Sequence, residues 1–417
     1  MRRSEIHRKR DQVLNFFSSS STLAFPIKMV NEIKSINKKL DEISSTMVKF
    51  QLQTSDLDAD LMNEQLYRQT FHFVDEKIVG RESDKTAILK MLMNFDKSRV
   101  NSSREENVSA ISILGMGGLG KTALAQLVYQ DDSLKKHFEV RAWVCVSDDF
   151  DIFKIVKNII ESITDKKCPD ISNVSVLAGM LQENLKGKRY MLVLDDLWNE
   201  NAEDWEKLKD LLGVGAHGSK ILVTTRNNIV GSIVRGIIPP YSLKCLSVNE
   251  CWSIIKNRAY SPGGAFETPS MTKIGEAIAS RCGGLPLAAN ILGSLMRLHK
   301  TRNDWMLLLD NDSLKTIDAR TKIMSILKLS YDKLPLHLKL CFSYCSLFPK
   351  DLRIKRKTLI RLWMAEGFLH PTHGENRISL EDVGNNYFHC LLANSFFQNV
   401  RKNQLGDIKT CKMHDIT

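Results

Sequence analysis

The sequence predicts a doubly wound α/β domain with a parallel sheet, followed by an all-helical region and a winged-helix module. Between about residues 108 and 240, apolar β-branched runs alternate with helical periodicities. Helical periodicities dominate after about residue 245, and two short helical segments joined by a proline-containing turn follow residue 334. A chain of 417 residues is long enough for two to four domains.

The sequence pattern of the N-terminal part predicts one amphipathic helix followed by a linker. Apolar side chains recur at three- and four-residue steps across residues 27–50, whereas residues 51–76 are polar and mixed. A single helix with one apolar stripe needs partners to bury that stripe. We therefore expect this helix to pack against other helices or another subunit.

The first strand of the α/β region is predicted at residues 108–114, where the apolar run VSAISIL ends abruptly in GMGGLG. A helical stretch over Thr122–Tyr129 follows. Further strands are predicted at 141–146, 190–194 and 220–224, with helical patterns between them. Strand, glycine loop and helix in this order are typical of a phosphate-binding loop.

The segment Gly115–Thr122 matches the pattern G-x-x-x-x-G-K-[ST]. Glycines let backbone N–H groups turn toward phosphate oxygens, and the following helix N-terminus favours negative charge. Lys121 is expected at the β- and γ-phosphates, and the Thr122 hydroxyl at Mg²⁺. The residues expected to surround the phosphates of ATP or ADP are Gly115, Gly117, Gly118, Leu119, Gly120, Lys121, Thr122 and Ala123.

Two further strands end in polar residues that suit the same chemistry. MLVLDD places Asp195 and Asp196 after a buried run, so Asp195 is expected to hold Mg²⁺ and Asp196 to orient or deprotonate an attacking water. In KILVTTRN a strand ends in Thr224, Thr225 and Arg226. Arg226 is expected either to reach the γ-phosphate or, like many isolated arginines, to lie in solvent or in an ion pair. The residue pattern leaves both roles of Arg226 open.

Composition narrows the class of protein. The nine cysteines show no CxxC pair, which argues against a disulfide framework or a four-cysteine zinc site and favours a reducing compartment. No signal peptide is evident, and no run approaches the ~18 apolar residues that a membrane span needs. Cys341 and Cys345 lie one helical turn apart among aromatic residues, which is typical of a core face.

The net charge of +11 is uneven, because residues 320–361 carry eleven Lys or Arg against two Asp or Glu. Such a segment is either a solvated face or a surface for nucleic acid, acidic lipid or an acidic protein.

At this point the chain resembles the NB-ARC family, the nucleotide-binding module of plant disease-resistance proteins and of the animal apoptotic protease activating factor. The matching motifs occur in the family's order from about residue 79 to the C-terminus. They are VGRE, GMGGLGKT, FEVRAWVCVSDDF, MLVLDDLW, KILVTTRN, CGGLPLA, CFSYCSLFPKD and MHD. The tryptophan after the two aspartates and the CFSYCSLFPKD form resemble the coiled-coil class of these receptors.

The resemblance adds residues to the expected site. It implies that Val79, Gly80 and Arg81 lie against the adenine and ribose and that Pro286 packs on the base. It also implies that Arg226 senses the γ-phosphate and that His414 contacts the β-phosphate of ADP, as the latch of an inactive state.

The resemblance also implies a domain order. A partial N-terminal helical domain and linker is expected at 1–70, a P-loop nucleotide-binding domain at 71–240, a helical ARC1 domain at 241–319 and a winged-helix ARC2 domain at 320–417. Relative to the family's pattern, the chain is expected to be truncated at both ends.

The leading functional hypothesis is an ADP/ATP switch in plant immunity, inactive with ADP and active with ATP, with at most slow hydrolysis. Its expected ligands are the nucleotide and Mg²⁺. Its expected protein partners are further copies of itself or other immune receptors. Its expected location is cytoplasmic, with the nucleus or membrane periphery as alternatives. A nucleotide-regulated DNA-binding protein that uses the basic winged helix is the second hypothesis. An ordinary turnover ATPase is the third.

Overall fold

The computed structural model describes most of the chain beyond residue 77. The described residues are 78–93, 107–146, 150–169, 171, 173–234, 238–315, 319–349, 352–370, 379–403 and 406–413, with side chains left undescribed at 319–320. All of them belong to one compact unit, Gln65–Thr417. The predicted helix at 27–50, the linker and His414 lie outside the described residues.

A five-stranded parallel sheet forms the first layer. Its strands are β1 (Val108–Leu114), β2 (Val140–Cys145), β3 (Tyr190–Asp195), β4 (Ser219–Thr225) and β5 (Tyr241–Ser242). They lie in the order β2-β3-β4-β1-β5, and every pairing is parallel. The four predicted strands are confirmed to within one residue. The two-residue β5 escaped prediction because so short a strand has no periodicity.

Helices cover both faces of this sheet. They are α1 (Glu82–Met93), α2 (Lys121–Tyr129), α3 (Asp132–His137), α4 (Ile152–Thr164), α5 (Val174–Leu185), α6 (Ala202–Leu212) and α7 (Asn228–Val234). Asp151, Asn173 and Asn201 begin three of them, because each side chain accepts a hydrogen bond from the backbone N–H two residues later. Every residue of β3 and β4 is buried, as expected for central strands between two helical layers.

The helical region that follows shares its hydrophobic core with one face of the sheet. Its helices are α8 (Val248–Ala259), α9 (Pro269–Ser280), α10 (Pro286–Leu298), α11 (Arg302–Leu309) and α12 (Ala319–Asp332). Trp143 and Val193 of the sheet belong to the same buried cluster as Ile255 and Leu292 of the helices. The opposite face of the sheet has a separate core, built with α4, α5 and α6.

The last region has its own core. It comprises α13 (Leu336–Tyr344), β6 (Ile354–Lys355), α14 (Arg356–Ala365), α15 (Leu380–Ala393), β7 (Phe397–Lys402) and β8 (Ile408–Met413), with β6-β8-β7 forming an antiparallel sheet. The two short predicted helices are confirmed as α13, which a 3₁₀ turn at 345–347 extends, and α14. Cys341 and Cys345 are buried in this core, as predicted.

The sequence pattern did not predict α15. Gly384 and two asparagines in its second turn have low helix propensity and mask the periodicity. Gly384 is nevertheless buried, and a Cβ at this position would collide with Ile360 and Leu369 of the same region. Close packing against α14 therefore outweighs the poor local preference.

Candidate functional site

The glycine-rich loop connects β1 directly to α2. Gly118 and Gly120 have φ values of +74° and +91°, which side chains other than glycine rarely adopt. At the start of the loop, the Gly115 N–H donates to the Thr225 carbonyl at 3.2 Å, which fixes the loop to the end of β4. The loop therefore turns immediately before the N-terminus of α2, where backbone N–H groups lack partners within the helix.

Lys121 and Thr122 lie at the start of α2 and contact two different partners. The Lys121 ammonium donates to the Met116 carbonyl at 3.1 Å, within the loop. The Thr122 hydroxyl donates to Asp195 Oδ1 at 2.9 Å, and the Thr224 hydroxyl donates to the same oxygen at 2.6 Å. The ends of β3 and β4 and the start of α2 thus meet at one carboxylate.

The Asp195 carboxylate is buried, with 5% of the residue exposed. Burial raises its pKa to about 6, and the charge of Asp196 also raises it. The hydroxyls of Thr224 and Thr122 and the charge of Lys412 lower the pKa, but by less than burial raises it. The carboxylate is therefore poorly compensated in the protein alone and would gain from a cation.

Asp196 and Arg226 form an ion pair in which the guanidinium Nη2 lies 3.3 Å from Oδ2. The Arg226 guanidinium also lies over the Trp198 ring, 5.1 Å from its centroid. Asp196 has a φ of +57°, an uncommon conformation outside glycine that aims the residue away from the strand direction. In this arrangement Arg226 is held by Asp196 and Trp198.

A cavity of about 1210 Å³ lies over these groups and reaches three regions of the protein. The predicted site residues that line it are Gly118, Gly120, Lys121, Thr122, Ala123, Asp195, Asp196, Arg226 and Pro286. Its opposite wall comes from the winged-helix region, from α15, β7 and β8. Of the described residues that line it, eight are Lys or Arg and two are acidic, so this part of the cavity is suited to a polyanion.

A second cavity of about 470 Å³ adjoins the first. Val79 and Pro286 contribute apolar surface to it, and Arg81, Gly120 and Ala123 also line it. A flat apolar base next to a phosphate cradle is the arrangement that a nucleotide requires. Val79 and Pro286 thus line the same cavity, and their contact with the adenine stays a prediction.

Other predicted residues hold the backbone of the site. The Arg81 guanidinium donates to the carbonyls of Leu119 and Lys244, at 2.8 and 2.9 Å, and pairs with Asp84 at 2.9 Å. The Leu119 side chain is 2% exposed and lies in the core, so its backbone alone can face a ligand. Gly80 (φ +74°) lies against the side chain of Glu250, which caps α8. The described residues that line the two cavities do not include Gly80, Gly115, Gly117 or Leu119.

Several lining residues were not predicted from the sequence. On α10, Asn290 lies one helical turn after Pro286 and accepts a hydrogen bond from Arg258 Nε at 2.8 Å. Helical spacing from Pro286 was the available signal. On β8, Lys412 lines the larger cavity, and its position directly before the MHD motif was the corresponding signal. His414 lies outside the described residues.

The donor set fits Mg²⁺ only when a nucleotide is also bound. Asp195 and Thr122 offer hard oxygen atoms, which Mg²⁺ prefers. Within the described ranges, no group of three or more His, Cys, Asp or Glu residues is placed to hold a metal ion. Mg²⁺ commonly takes one carboxylate and completes its shell with phosphate oxygens and water, so a fit that depends on phosphate is expected.

Comparison with known proteins finds a domain family for each of two segments of the chain. The NB-ARC domain family matches residues 83–262, and the disease resistance protein winged helix domain family matches residues 347–417. The putative disease resistance protein RGA4 of Solanum bulbocastanum is 39% identical over 92% of this chain and 38% of its own length. Disease resistance protein RPM1 of Arabidopsis thaliana is 32% identical over 87% of this chain and 38% of its own length.

The chain thus spans less than two fifths of the length of these two relatives. Among solved structures, a signal transduction ATPase with numerous domains and a tetratricopeptide repeat sensor, from Pyrococcus horikoshii, is 15% identical with a TM-score of 0.47. The structural alignment covers 84% of this chain and 43% of the Pyrococcus horikoshii chain. The two family matches fall on the parallel sheet and on the winged-helix region, and they occur in the order that the motifs predict. The chain belongs to the NB-ARC family of plant disease-resistance proteins.

Proposed function

We propose that the chain is the nucleotide switch of a plant disease-resistance protein, inactive with ADP and active with ATP. The observation that carries the proposal is the larger cavity, which the phosphate loop, α10 and the winged-helix region enclose together. A nucleotide in it would touch all three regions. The number of phosphates would therefore change how well the winged-helix region packs over the site.

Each site residue has a role in this proposal. Backbone N–H groups of residues 115–120 and Lys121 would hold the phosphates, and Val79 and Pro286 would hold the adenine. Thr122 and Asp195 would hold Mg²⁺, which neutralises phosphate charge when bound. Domains at 71–240, 241–319 and 320–417 are part of the same proposal. Within the last of them, α12 packs into the core of the preceding helical region, and the separate winged-helix core begins at Leu334.

Activation would require Arg226 to leave its partner. In the described arrangement the guanidinium pairs with Asp196, and this ion pair would have to open before Arg226 could bind a third phosphate. Binding of ATP would offer Arg226 a stronger anion and free Asp196 to orient an attacking water. Hydrolysis would then be slow, because the ion pair between Arg226 and Asp196 must break before either residue can act.

Location and partners are also part of the proposal. All nine cysteines are free thiols, which suits a reducing compartment such as the cytoplasm. No helix in the described part of the chain is long and apolar enough to cross a membrane. The homologous proteins are named for disease resistance, so we infer that the switch signals to other proteins, by self-association or through other immune receptors.

The DNA-binding alternative gains no support from Arg353, one of the basic residues of the segment 320–361. Arg353 is 9% exposed, and its guanidinium donates to the Asn399 carbonyl at 2.9 Å and to the Thr410 hydroxyl at 3.4 Å. It therefore holds the three-stranded sheet together and is not available to a phosphate backbone.

The proposal is tested by identifying the nucleotide that copurifies with the protein. We expect about one ADP per wild-type chain after gentle purification and denaturation, and almost none in Lys121→Arg, whose bulkier group does not fit the loop. Lys207→Arg, on α6, is the matched control, since the Lys207 side chain is 62% exposed and is not among the described residues that line the cavity. A folded wild-type protein without nucleotide would refute the switch.

A further inference from the structure

A glutamine of α2 is buried without a partner at the junction of the two cavities. Gln126 is 6% exposed, and it lines both the larger and the smaller cavity. Its side-chain amide makes no hydrogen bond within the described part of the chain. A primary amide both donates and accepts hydrogen bonds, and leaving these groups unsatisfied in a buried position costs free energy. The burial of this amide therefore calls for a partner outside the polypeptide.

Two helix faces border this junction. On α2, Gln126 lies three residues after Ala123, and on α10, Asn290 lies four residues after Pro286. Residues at these spacings share one side of a helix. All four residues line both cavities. The amides of Gln126 and Asn290 therefore lie between the phosphate loop and the apolar surface of the smaller cavity.

A hydrogen bond from Arg258 determines which half of the Asn290 amide is available to a ligand. Arg258 Nε donates to Asn290 Oδ1 at 2.8 Å, and Arg258 Nη1 donates to the Ser294 hydroxyl at 3.3 Å. A guanidinium carries donors only, so the amide oxygen of Asn290 faces Arg258 and the amide nitrogen faces elsewhere. The Asn290 nitrogen makes no hydrogen bond to the residues that the structure describes, and it remains available as a donor.

The hydrogen-bonding groups of the two amides match the sugar of a nucleotide. In the proposed binding mode, the phosphates lie at the glycine loop and the adenine lies against Val79 and Pro286, so the sugar spans the junction. Phosphate oxygens accept hydrogen bonds and would leave the amide oxygen of Gln126 without a donor. The two hydroxyls of a ribose both donate and accept, so they can satisfy the Asn290 nitrogen and the Gln126 amide together.

We propose that Gln126 and Asn290 form the sugar subsite of the nucleotide pocket and select ribonucleotides over deoxyribonucleotides. The inference rests on the proposed function, because the phosphate loop and the adenine surface define where the sugar lies. A nucleotide that lacks one of the two hydroxyls leaves a buried amide group unsatisfied. Sites built around hydrogen bonds to a ligand discriminate strongly against analogues that lack the bonding group.

The test compares the affinities of the nucleotide-free full chain for ADP, 2′-deoxy-ADP and 3′-deoxy-ADP by isothermal titration calorimetry. We expect wild type to bind ADP at least about tenfold more tightly than each deoxy analogue. In Gln126→Met, which keeps a similar volume without the amide, and in Asn290→Leu, this difference should shrink to about twofold for at least one analogue. Gln182→Met on α5 is the matched control, because Gln182 is exposed and is not among the described residues that line either cavity.

The wild-type comparison does not depend on the folding of any variant. Equal affinities of wild type for ADP and both deoxy analogues would overturn the inference while leaving ADP binding intact. A preference that persists unchanged in Gln126→Met or in Asn290→Leu would overturn the assignment of that residue. A wild-type chain that binds none of the three nucleotides would instead refute the proposed function, and the inference with it.

Stability measurements separate a sugar contact from a structural role of Gln126. Because its amide lacks a partner within the described part of the chain, nucleotide-free Gln126→Met should unfold at the same urea concentration as wild type or at a higher one. A clearly lower urea midpoint would show that the amide stabilises the protein itself, and would overturn its assignment to the sugar.

Discussion

Replacing Gly118 by alanine tests the junction between the phosphate loop and the helical region. A Cβ at Gly118 would lie 3.0 Å from Ile323 Cδ1 and 3.1 Å from Leu287 Cβ, both in the buried core. The Leu287 N–H also donates to the Gly118 carbonyl at 3.2 Å, so the loop cannot shift without breaking this bond. The substitution therefore adds crowding to backbone strain.

The two costs can be separated with a second glycine. Gly187 has a φ of +69°, close to the +74° of Gly118, but a Cβ there would meet nothing within 4 Å. Left-handed strain costs about 1–2 kcal/mol at either position. Crowding in a packed core adds about 1–3 kcal/mol at Gly118 alone. We therefore expect Gly118→Ala to be more destabilising than Gly187→Ala by about 1–3 kcal/mol.

Urea unfolding followed by tryptophan fluorescence measures this difference, with both variants compared in the same buffer and without added nucleotide. Ile323→Val removes the Cδ1 atom that the new Cβ would meet, so the penalty of Gly118→Ala should shrink in that background. Equal losses of stability in Gly118→Ala and Gly187→Ala would show that the phosphate loop does not pack against the helical region as described.

Two other predictions concern buried charges. The folded protein raises the pKa of Asp195 from 3.8 to about 6, so it binds the proton more tightly than the unfolded chain does. The stability of the nucleotide-free protein should fall as pH rises from about 4 to 6, by at most about 3 kcal/mol. Asp195→Asn should remove this contribution to the pH dependence of the urea midpoints, and an unchanged pH dependence would contradict the assignment. Arg81→Met should leave the Leu119 and Lys244 carbonyls without their donor, cost about 3 kcal/mol, and weaken ADP binding at least tenfold by fluorescence titration. Undiminished ADP affinity would show that Arg81 does not support the loop.

Strong local patterns made the sheet and the phosphate loop predictable. Each predicted strand is a mainly apolar run that is followed by glycine or a polar residue, and GMGGLGKT has few structural alternatives in that context. Parallel strands bring their carboxyl ends to one edge, so the meeting of Thr122 and Asp195 also followed from the sequence.

Local sequence patterns did not predict the far wall of the cavity, and only the resemblance, through His414, implied that the winged-helix region reaches the nucleotide. Lys412 lines the cavity because β8 folds back toward the phosphate loop, which periodicity does not reveal. The pairing of Arg226 with Asp196 likewise depends on the left-handed turn at Asp196, which periodicity does not report. Such contacts arise from tertiary packing, and the secondary-structure propensities of the local sequence do not predict them.

The distribution of hydrophobic cores determines which parts can move as rigid bodies. Helices α8–α12 share one continuous core with a face of the sheet, so separating them would expose many apolar side chains to water. The winged-helix region keeps a separate core around Trp363 and Phe388. Only residues 333–335 connect α12 to α13, and Pro335 restricts their freedom. We therefore expect a hinge at residues 333–335, about which the winged-helix region rotates while the nucleotide stays with the phosphate loop and α10.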